Sequence, residues 1–422
     1  MTSIALVSTY EGGMQPLTLA TAAAHLRAHG HTVECYDDGI SPPDIDALCG
    51  ADIVAFSIPL YESVQRAADL LTEVCNCRPE ALVIFYGPHA VLQRNALLAL
   101  GASAVALGDW EDTLVHAAAR VSAAMPLDGI PGLATPSSTA SHVYHRTGHR
   151  VPDRSSLPPL NQYVYAEARK RIGPDVVMGN VETARGCRFS CTYCSIFASN
   201  HKKVTVFDAD VIHQDIANVV EAGATHICFT DAEFFNAPAN ALEVVRRMHR
   251  EFPDLTFDFT TRADLVAENP GRIEEVVSLG ARFVTSAFEF PSERVLEAVN
   301  KQFSVATLER ALAVTRAAGL QMNPTFLLFN PWTTFDDLGH FGDFVTRNGL
   351  DEQIEPVQFT TRLWLYKGSP LLQRPEVRAS IVKENLFNYE WTHPEMEVEE
   401  LFKVMSEEPS TTGALKRCCL KC

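Results

Sequence analysis

Arg185-Gly186-Cys187-Arg188-Phe189-Ser190-Cys191-Thr192-Tyr193-Cys194 places three cysteines in the spacing Cys-x3-Cys-x2-Cys, with an aromatic residue directly before the last. In the βα alternation of this region the segment at 179–183 just before it reads as a β-strand, so the cysteines fall in the loop after it. Thiolates suit iron, and three on one tight loop hold three corners of a 4Fe-4S cubane while leaving the fourth iron without a protein ligand. The alternatives are three structural cysteines or a zinc knuckle. Zinc takes four ligands, usually from two hooks, and only one Cys-x2-Cys hook is complete here.

C-terminal to this loop, βα alternation continues. Segments 225–230, 256–261, 283–288, 321–329 and 356–363 join 179–183 as six expected strands, separated by helices over 208–221, 239–251, 272–278, 306–317 and 334–347. Six such units predict a partial (β/α)6 barrel over 176–372, open on one side, with its chemistry on the loops after the strands. Toward the N-terminus, strands at 4–8, 33–36, 53–58, 82–86 and 104–107 alternate with helices at 17–28, 62–74, 90–100 and 111–119, predicting a doubly wound domain over 1–125. Proline and serine crowd 123–160, so 126–175 is expected to be a linker. A C-terminal extension, 373–422, ends in a flexible, cysteine-rich tail. The expected class is α/β throughout.

The cysteine loop in this strand context resembles the radical SAM (S-adenosylmethionine) superfamily, over most of 176–372. That resemblance implies that SAM chelates the open iron through its amino and carboxylate groups, with a flavodoxin or ferredoxin as electron donor. It also implies cofactor contacts: Asp231 and Glu233 after the second strand, Arg262 after the third, Glu289 after the fourth, Tyr193 in the loop, and Asn323 to Asn330 beside the adenine. A doubly wound domain ahead of such a barrel resembles the cobalamin-binding radical SAM class. Here Thr9-Tyr10-Glu11-Gly12-Gly13 follows the first strand without Asp-x-His-x-x-Gly, so no histidine is offered to cobalt. Cobalamin binding without that ligand, and a domain kept only for packing, both stay open.

The chain ends in Arg417-Cys418-Cys419-Leu420-Lys421-Cys422. Neighbouring basic groups lower thiol pKa, and three soft ligands on an arm suit a thiophilic ion such as trivalent arsenic. Untasked cysteines, a second iron-sulfur cluster, or a zinc site borrowing His393 are the alternatives. Ten extended residues span roughly 33 Å, enough to bring the tail over a barrel mouth. This ending together with the cysteine loop resembles the radical SAM enzymes of arsinothricin biosynthesis. The resemblance implies that SAM breaks at its methionine γ-carbon and that the 3-amino-3-carboxypropyl group passes to arsenite at Cys418, Cys419 and Cys422. The products would be hydroxyarsinothricin and methylthioadenosine. A cobalamin-dependent radical SAM methyltransferase is the other enzymatic reading, and a non-catalytic arsenic-binding protein is a third.

Composition narrows the partners. With 35 Lys and Arg against 52 Asp and Glu, a net charge of −17 repels a phosphate backbone, and no basic stripe offsets it. No apolar run approaches the roughly 20 residues that cross a bilayer, and 2–8 has no basic flank to make it a signal peptide. The expected location is cytoplasmic, with no membrane or nucleic acid partner. Eleven cysteines in such a compartment favour metal chemistry over disulfides. Cys35, Cys49 and Cys228, on or beside apolar runs, read as core residues, and Cys75 and Cys77 as helix-end packing rather than a metal hook. His226 reads as a barrel residue.

Overall fold

The computed structural model describes residues 1–144, 148–351 and 353–407. Near the N-terminus the strands β1 (Ser3–Ser8), β2 (Thr32–Asp37), β3 (Ile53–Ser57), β4 (Leu82–Tyr86) and β5 (Ala104–Ala106) run parallel, with a short antiparallel β6 (Leu133–Ala134) at the edge. Their order is β2-β1-β3-β4-β5-β6. The chain therefore reverses direction across the sheet between β1 and β3, and such a switch point opens a crevice at the strands' C-terminal ends. The helices are α1 (Leu17–Ala28), α2 (Ile45–Gly50), α3 (Ser63–Cys77), α4 (Pro88–Leu92), α5 (Arg94–Ala99) and α6 (Glu111–Ser122). In α3 the buried Val64, Ala67, Ala68, Leu71 and Val74 recur at helical spacing, the stripe that fastens it to the sheet. The helix expected over 90–100 is two, because Gln93 leaves helical geometry at φ −94° and ψ 8°. Helix α2 had no clear apolar period, but its Asp44 side chain accepts from the Asp46 N–H and starts the turn.

Farther along come β7 (Met178–Val181), β8 (Ala184–Gly186), β9 (Val204–Val206), β10 (His226–Phe229), β11 (Thr256–Thr260), β12 (Ala281–Glu289) and β13 (Gln321–Phe326). The main sheet has the order β13-β12-β11-β10-β7, and β8 and β9 form a separate ribbon. Helices Ala209–Glu221, Pro238–Glu251, Pro270–Ser278, Val305–Ala318 and Phe335–Arg347 fall where the periodicity places them. The last begins with a capping box between Thr334 and Asp337.

The sixth barrel strand departs from expectation. Residues 356–363 form a 3-10 turn, Pro356–Thr360, followed by a single parallel bridge between Phe329 and Arg362. Pro356 has no N–H to give a ladder, and the buried Gln358 side chain instead accepts from the Phe326 N–H at 3.0 Å. A small sheet of β14 (Leu365–Tyr366), β15 (Ile381–Glu384) and β16 (Asn388–Trp391) follows, then the helix Met396–Glu407.

The chain divides into two compact units, Met1–Arg185 with Lys203–Ile227, and Gly186–Lys202 with the chain from Cys228 onward. Within the first, Arg154 of the linker is a fastener. Its guanidinium meets Asp215 at 2.9 Å, the Asn180 carbonyl at 2.7 Å and the Gln15 side chain at 2.8 Å. Within the second, Phe229, Phe234, Phe257 and Phe259 pack with ring centroids 4.9 to 6.2 Å apart where they meet.

Candidate active site

In the second unit the cysteine loop is tied down on both flanks. Asn236 receives the Arg188 N–H at 3.2 Å and donates to the Gly186 carbonyl at 2.9 Å. Asn300 donates to the Ser190 carbonyl at 2.8 Å, and the Thr192 N–H reaches the Val299 carbonyl at 3.0 Å. Gly186 has φ +89°, a conformation that L side chains rarely adopt. Cys191 is buried, Cys187 and Cys194 are half-buried, and burial pushes the Cys187 thiol up to about 11. Three thiols on one loop held at both ends are the ligand chemistry that a 4Fe-4S cluster takes.

Four of the expected SAM contacts, Glu233, Arg262, Glu289 and Tyr193, gather into one hydrogen-bonded patch beside Cys191. Burial raises the Glu233 carboxyl's pKa, and the side chain accepts from the Phe235 N–H at 3.0 Å, the Arg262 N–H at 2.9 Å and the Thr261 hydroxyl at 2.5 Å. The Arg262 side chain donates to Cys191 Sγ at 3.3 Å. Glu289 sits at φ +61° where β12 slips register against β13, a strained backbone that turns its side chain toward Tyr193. The Tyr193 hydroxyl bonds Glu289, and the Tyr366 hydroxyl donates to the Tyr193 carbonyl at 3.1 Å.

Lys301 escaped the sequence reading. It is 2% exposed and its Nζ lies 3.0 Å from Glu289. Burial alone would depress its ammonium, but the Glu289 carboxylate and its hydrogen bond, together with Cys191, outweigh this and its pKa rises. No periodicity marks a lysine that follows a helix end, so only tertiary contact exposes it. Asp231 is fully buried. Asn323 bonds Thr285 at 3.3 Å, whereas Asn330 is spent on a turn, accepting from the Trp332 and Thr333 N–H groups at 3.1 Å. His393 is engaged at both ring nitrogens, by Glu395 and the Asn330 carbonyl. Cys418, Cys419 and Cys422 lie outside the described residues.

The first unit carries a second polar site. Asp37, Ser8, Ser57 and Tyr86 are mutual register partners along β2, β1, β3 and β4, a polar row at the C-terminal edge that spans the switch point. Ser57 meets the Thr18 hydroxyl at 2.5 Å, and Thr18 also bonds the Glu11 carboxyl. Among the described residues the buried Ser8 hydroxyl meets no hydrogen-bond partner, and a polar ligand group would satisfy it. Gly87, φ +98°, stands where a Cβ would fall 2.9 Å from the Ile58 carbonyl. These polar groups at the switch point fit the polar tail of a corrinoid.

Burial pushes the Glu11 carboxyl from 4.5 to about 8, so near neutrality it is mostly protonated. A folded value above the unfolded one means that this group's stabilisation is full below about pH 4.5 and is lost as pH rises through about 8. Glu11→Gln should therefore flatten the fall in melting temperature of the chain between pH 6 and 9, recovering on the order of 2 kcal/mol at the alkaline end. Parallel melting curves for the two proteins across that range would count against a buried neutral acid.

Two departures concern cysteines. Cys49 and Cys77 are joined as a disulfide, so Cys49 is not a plain core residue and Cys77 makes no hook with Cys75. Cys228 is buried and donates to Asp258 at 3.4 Å.

Residues 181–343 match the radical SAM superfamily model, and 4–118 match the B12 binding domain model. Among curated proteins, the hopanoid C-3 methylase of Methylococcus capsulatus is 21% identical over 76% of this chain and 62% of its own. An uncharacterized methyltransferase of Pyrococcus horikoshii is 23% identical over 69% and 64%, and the bacteriochlorophyllide d C-8(2)-methyltransferase of Chlorobaculum tepidum is 26% identical over 47% and 46%. The chain thus spans less than two thirds of each relative's length. Among solved structures, the radical SAM methyltransferase TsrM of Kitasatospora setae superposes with TM-score 0.71 at 17% identity, covering 91% of this chain and 78% of that one. The cobalamin-dependent SAM radical enzyme OxsB superposes with TM-score 0.75 at 16% identity, covering 96% and 66%. At these identities the likeness is one of fold.

Proposed function

From a chain that pairs a B12-binding domain with a radical SAM domain, we propose a cobalamin-dependent radical SAM transferase that moves a methyl group to a small-molecule acceptor. One observation carries the reading: both domain models match in a single chain, 4–118 and 181–343, and the relatives at 21 to 26% identity are named as methylating enzymes. In this reading Cys187, Cys191 and Cys194 hold the 4Fe-4S cluster, which supplies one electron to the sulfonium of SAM. Glu233 fixes the loop after β10 against the start of the next strand's loop, and Glu289 with Lys301 and Tyr193 forms a charged wall of the cofactor site. Ser8, Ser57, Thr18 and Glu11 would hold the corrinoid's tail, and the Thr9–Gly13 loop offers cobalt no histidine.

A second reading rests on a different observation, the Arg417–Cys422 ending. Three thiols with two basic neighbours favour capture of arsenite, with the 3-amino-3-carboxypropyl group of SAM as the transferred unit. The relatives' names lend it no support, and the family evidence favours methyl transfer over it.

One anaerobic experiment separates the two. Reduced, reconstituted protein is incubated with SAM, with and without cobalamin and arsenite, and the products are weighed by mass spectrometry. S-adenosylhomocysteine formed only with cobalamin supports methyl transfer, while methylthioadenosine with a new organoarsenical supports the second reading and overturns the first. Changing Cys418, Cys419 and Cys422 together to serine should abolish arsenite retention on a desalting column if the tail captures it. Retention equal to that of the unaltered chain ends the capture role.

A further inference from the structure

Arg262, expected beside SAM, directs most of its guanidinium donors at protein groups. Of its five N–H donors, Nε and one Nη2 hydrogen grip the two oxygens of Asp264 at 2.9 Å each. The other Nη2 hydrogen goes to the Lys301 carbonyl at 2.5 Å, and Nη1 points one hydrogen at Cys191 Sγ, 3.3 Å away. The plane lies over the Phe189 ring at 4.0 Å, with Phe303 at 5.1 Å. Arg262 is 7% exposed, so water does not compete for that last hydrogen bond. Every other contact serves to hold the fork in one orientation, and that orientation is aimed at a sulfur expected to bind iron.

We propose that Arg262 is a positioning residue for the cluster's electrons: its N–H bond to the Cys191 sulfur raises the reduction potential of the 4Fe-4S centre. A cubane on three thiolates becomes more negative when it takes an electron. A cationic donor hydrogen-bonded to one of those sulfurs therefore stabilises the reduced form more than the oxidised one. The low dielectric of a buried site magnifies the difference. Asp264 offsets part of the charge, but it sits on the far side of the fork and leaves the sulfur-facing N–H in place. The consequence is a cluster that a mild cellular reductant can charge, beside a sulfonium that must accept the electron.

The proposal rests on Cys187, Cys191 and Cys194 carrying the cluster, and the test keeps the two apart. The full chain and Arg262→Gln are reconstituted with iron and sulfide, assayed for both, and titrated with dithionite while the reduced cluster is followed by electron paramagnetic resonance. Arg262→Gln should keep its iron and shift the ratio of reduced to oxidised cluster by about tenfold toward oxidised at any fixed potential, 59 mV lower for a one-electron couple. Arg262→Lys keeps a charge but cannot reach Asp264, the Lys301 carbonyl and the sulfur at once, so its shift should have the same sign and be smaller. Iron-replete Arg262→Gln with the unaltered chain's potential overturns the proposal alone. If Arg262→Gln cannot be loaded, an unshifted Arg262→Lys overturns it equally. An unaltered chain that takes up no cubane iron overturns the cluster assignment and the proposal with it.

Discussion

Cys191→Ala should leave a folded chain that holds no intact cubane, has lost the broad visible absorption of an iron-sulfur centre, and cleaves SAM no faster than the iron-free protein. The expectation is strongest at Cys191 because it is the buried member of the three and the one that receives the Arg262 hydrogen bond. Removing it takes a soft ligand from iron and leaves a buried guanidinium N–H with no acceptor, a loss of about 1–3 kcal/mol for the unmet donor alone. The loop should nonetheless keep its shape, because Asn236 and Asn300 hold the backbone and not the thiols. Iron and sulfide analysis with circular dichroism on the same sample checks both halves. A Cys191→Ala chain that carries cubane iron and turns SAM over would remove the loop from the active site.

Arg185→Met should produce the largest loss of stability of any single change in the first unit. Arg185 lies among three carboxylates, the buried Glu111 at 3.0 Å and Asp109 at 3.6 Å and the half-buried Glu182 at 3.1 Å, and its guanidinium stacks on Trp110 at 3.8 Å. Burial works to raise the Glu111 carboxyl, yet the Arg185 charge and hydrogen bond, with His25 and a backbone N–H, together outweigh it and the net shift is downward. Taking away the one cation strands buried negative charge. Breaking such a pair costs about 3–5 kcal/mol, roughly 10 °C or more in melting temperature for a unit of this size. Arg185→Lys should fall between, since an ammonium keeps the charge but cannot fork between three acids. Thermal melts at neutral pH check the order, and an Arg185→Met melt within a degree or two of the unaltered chain would show the carboxylates to be neutral or solvated.

The carboxylates around Arg185 show how far the amino-acid order could be read. Arg185 was legible only as the residue before a motif, because Glu111 is 74 positions away and nothing in either neighbourhood marks the pairing. Lys301 and Glu289 are nearer, yet a helix lies between them and the strain at Glu289 that aims its carboxylate is invisible in a one-dimensional pattern. By contrast β1, β3 and β4 were legible almost to the residue, since a parallel strand buried on both faces is a continuous apolar run with polar ends. The sixth barrel strand misled for the same reason. Residues 356–363 carry a strand's composition, but Pro356 and the Gln358 side chain spend the backbone's partners on a turn.

What order along the chain settled by itself was local chemistry: three thiols within one loop, the alternation of apolar runs that makes two α/β layers, and the absence of a histidine after β1. Those properties depend on neighbours a few bonds apart, so they survive without coordinates. Which charges meet was decided only by the folded chain. Arg262 donating to Cys191, Ser8 and Ser57 sharing a register row, and Lys301 pairing with Glu289 all join residues that covalent distance keeps apart. Burial removes the water that would otherwise screen such pairs, and so gives them their energy.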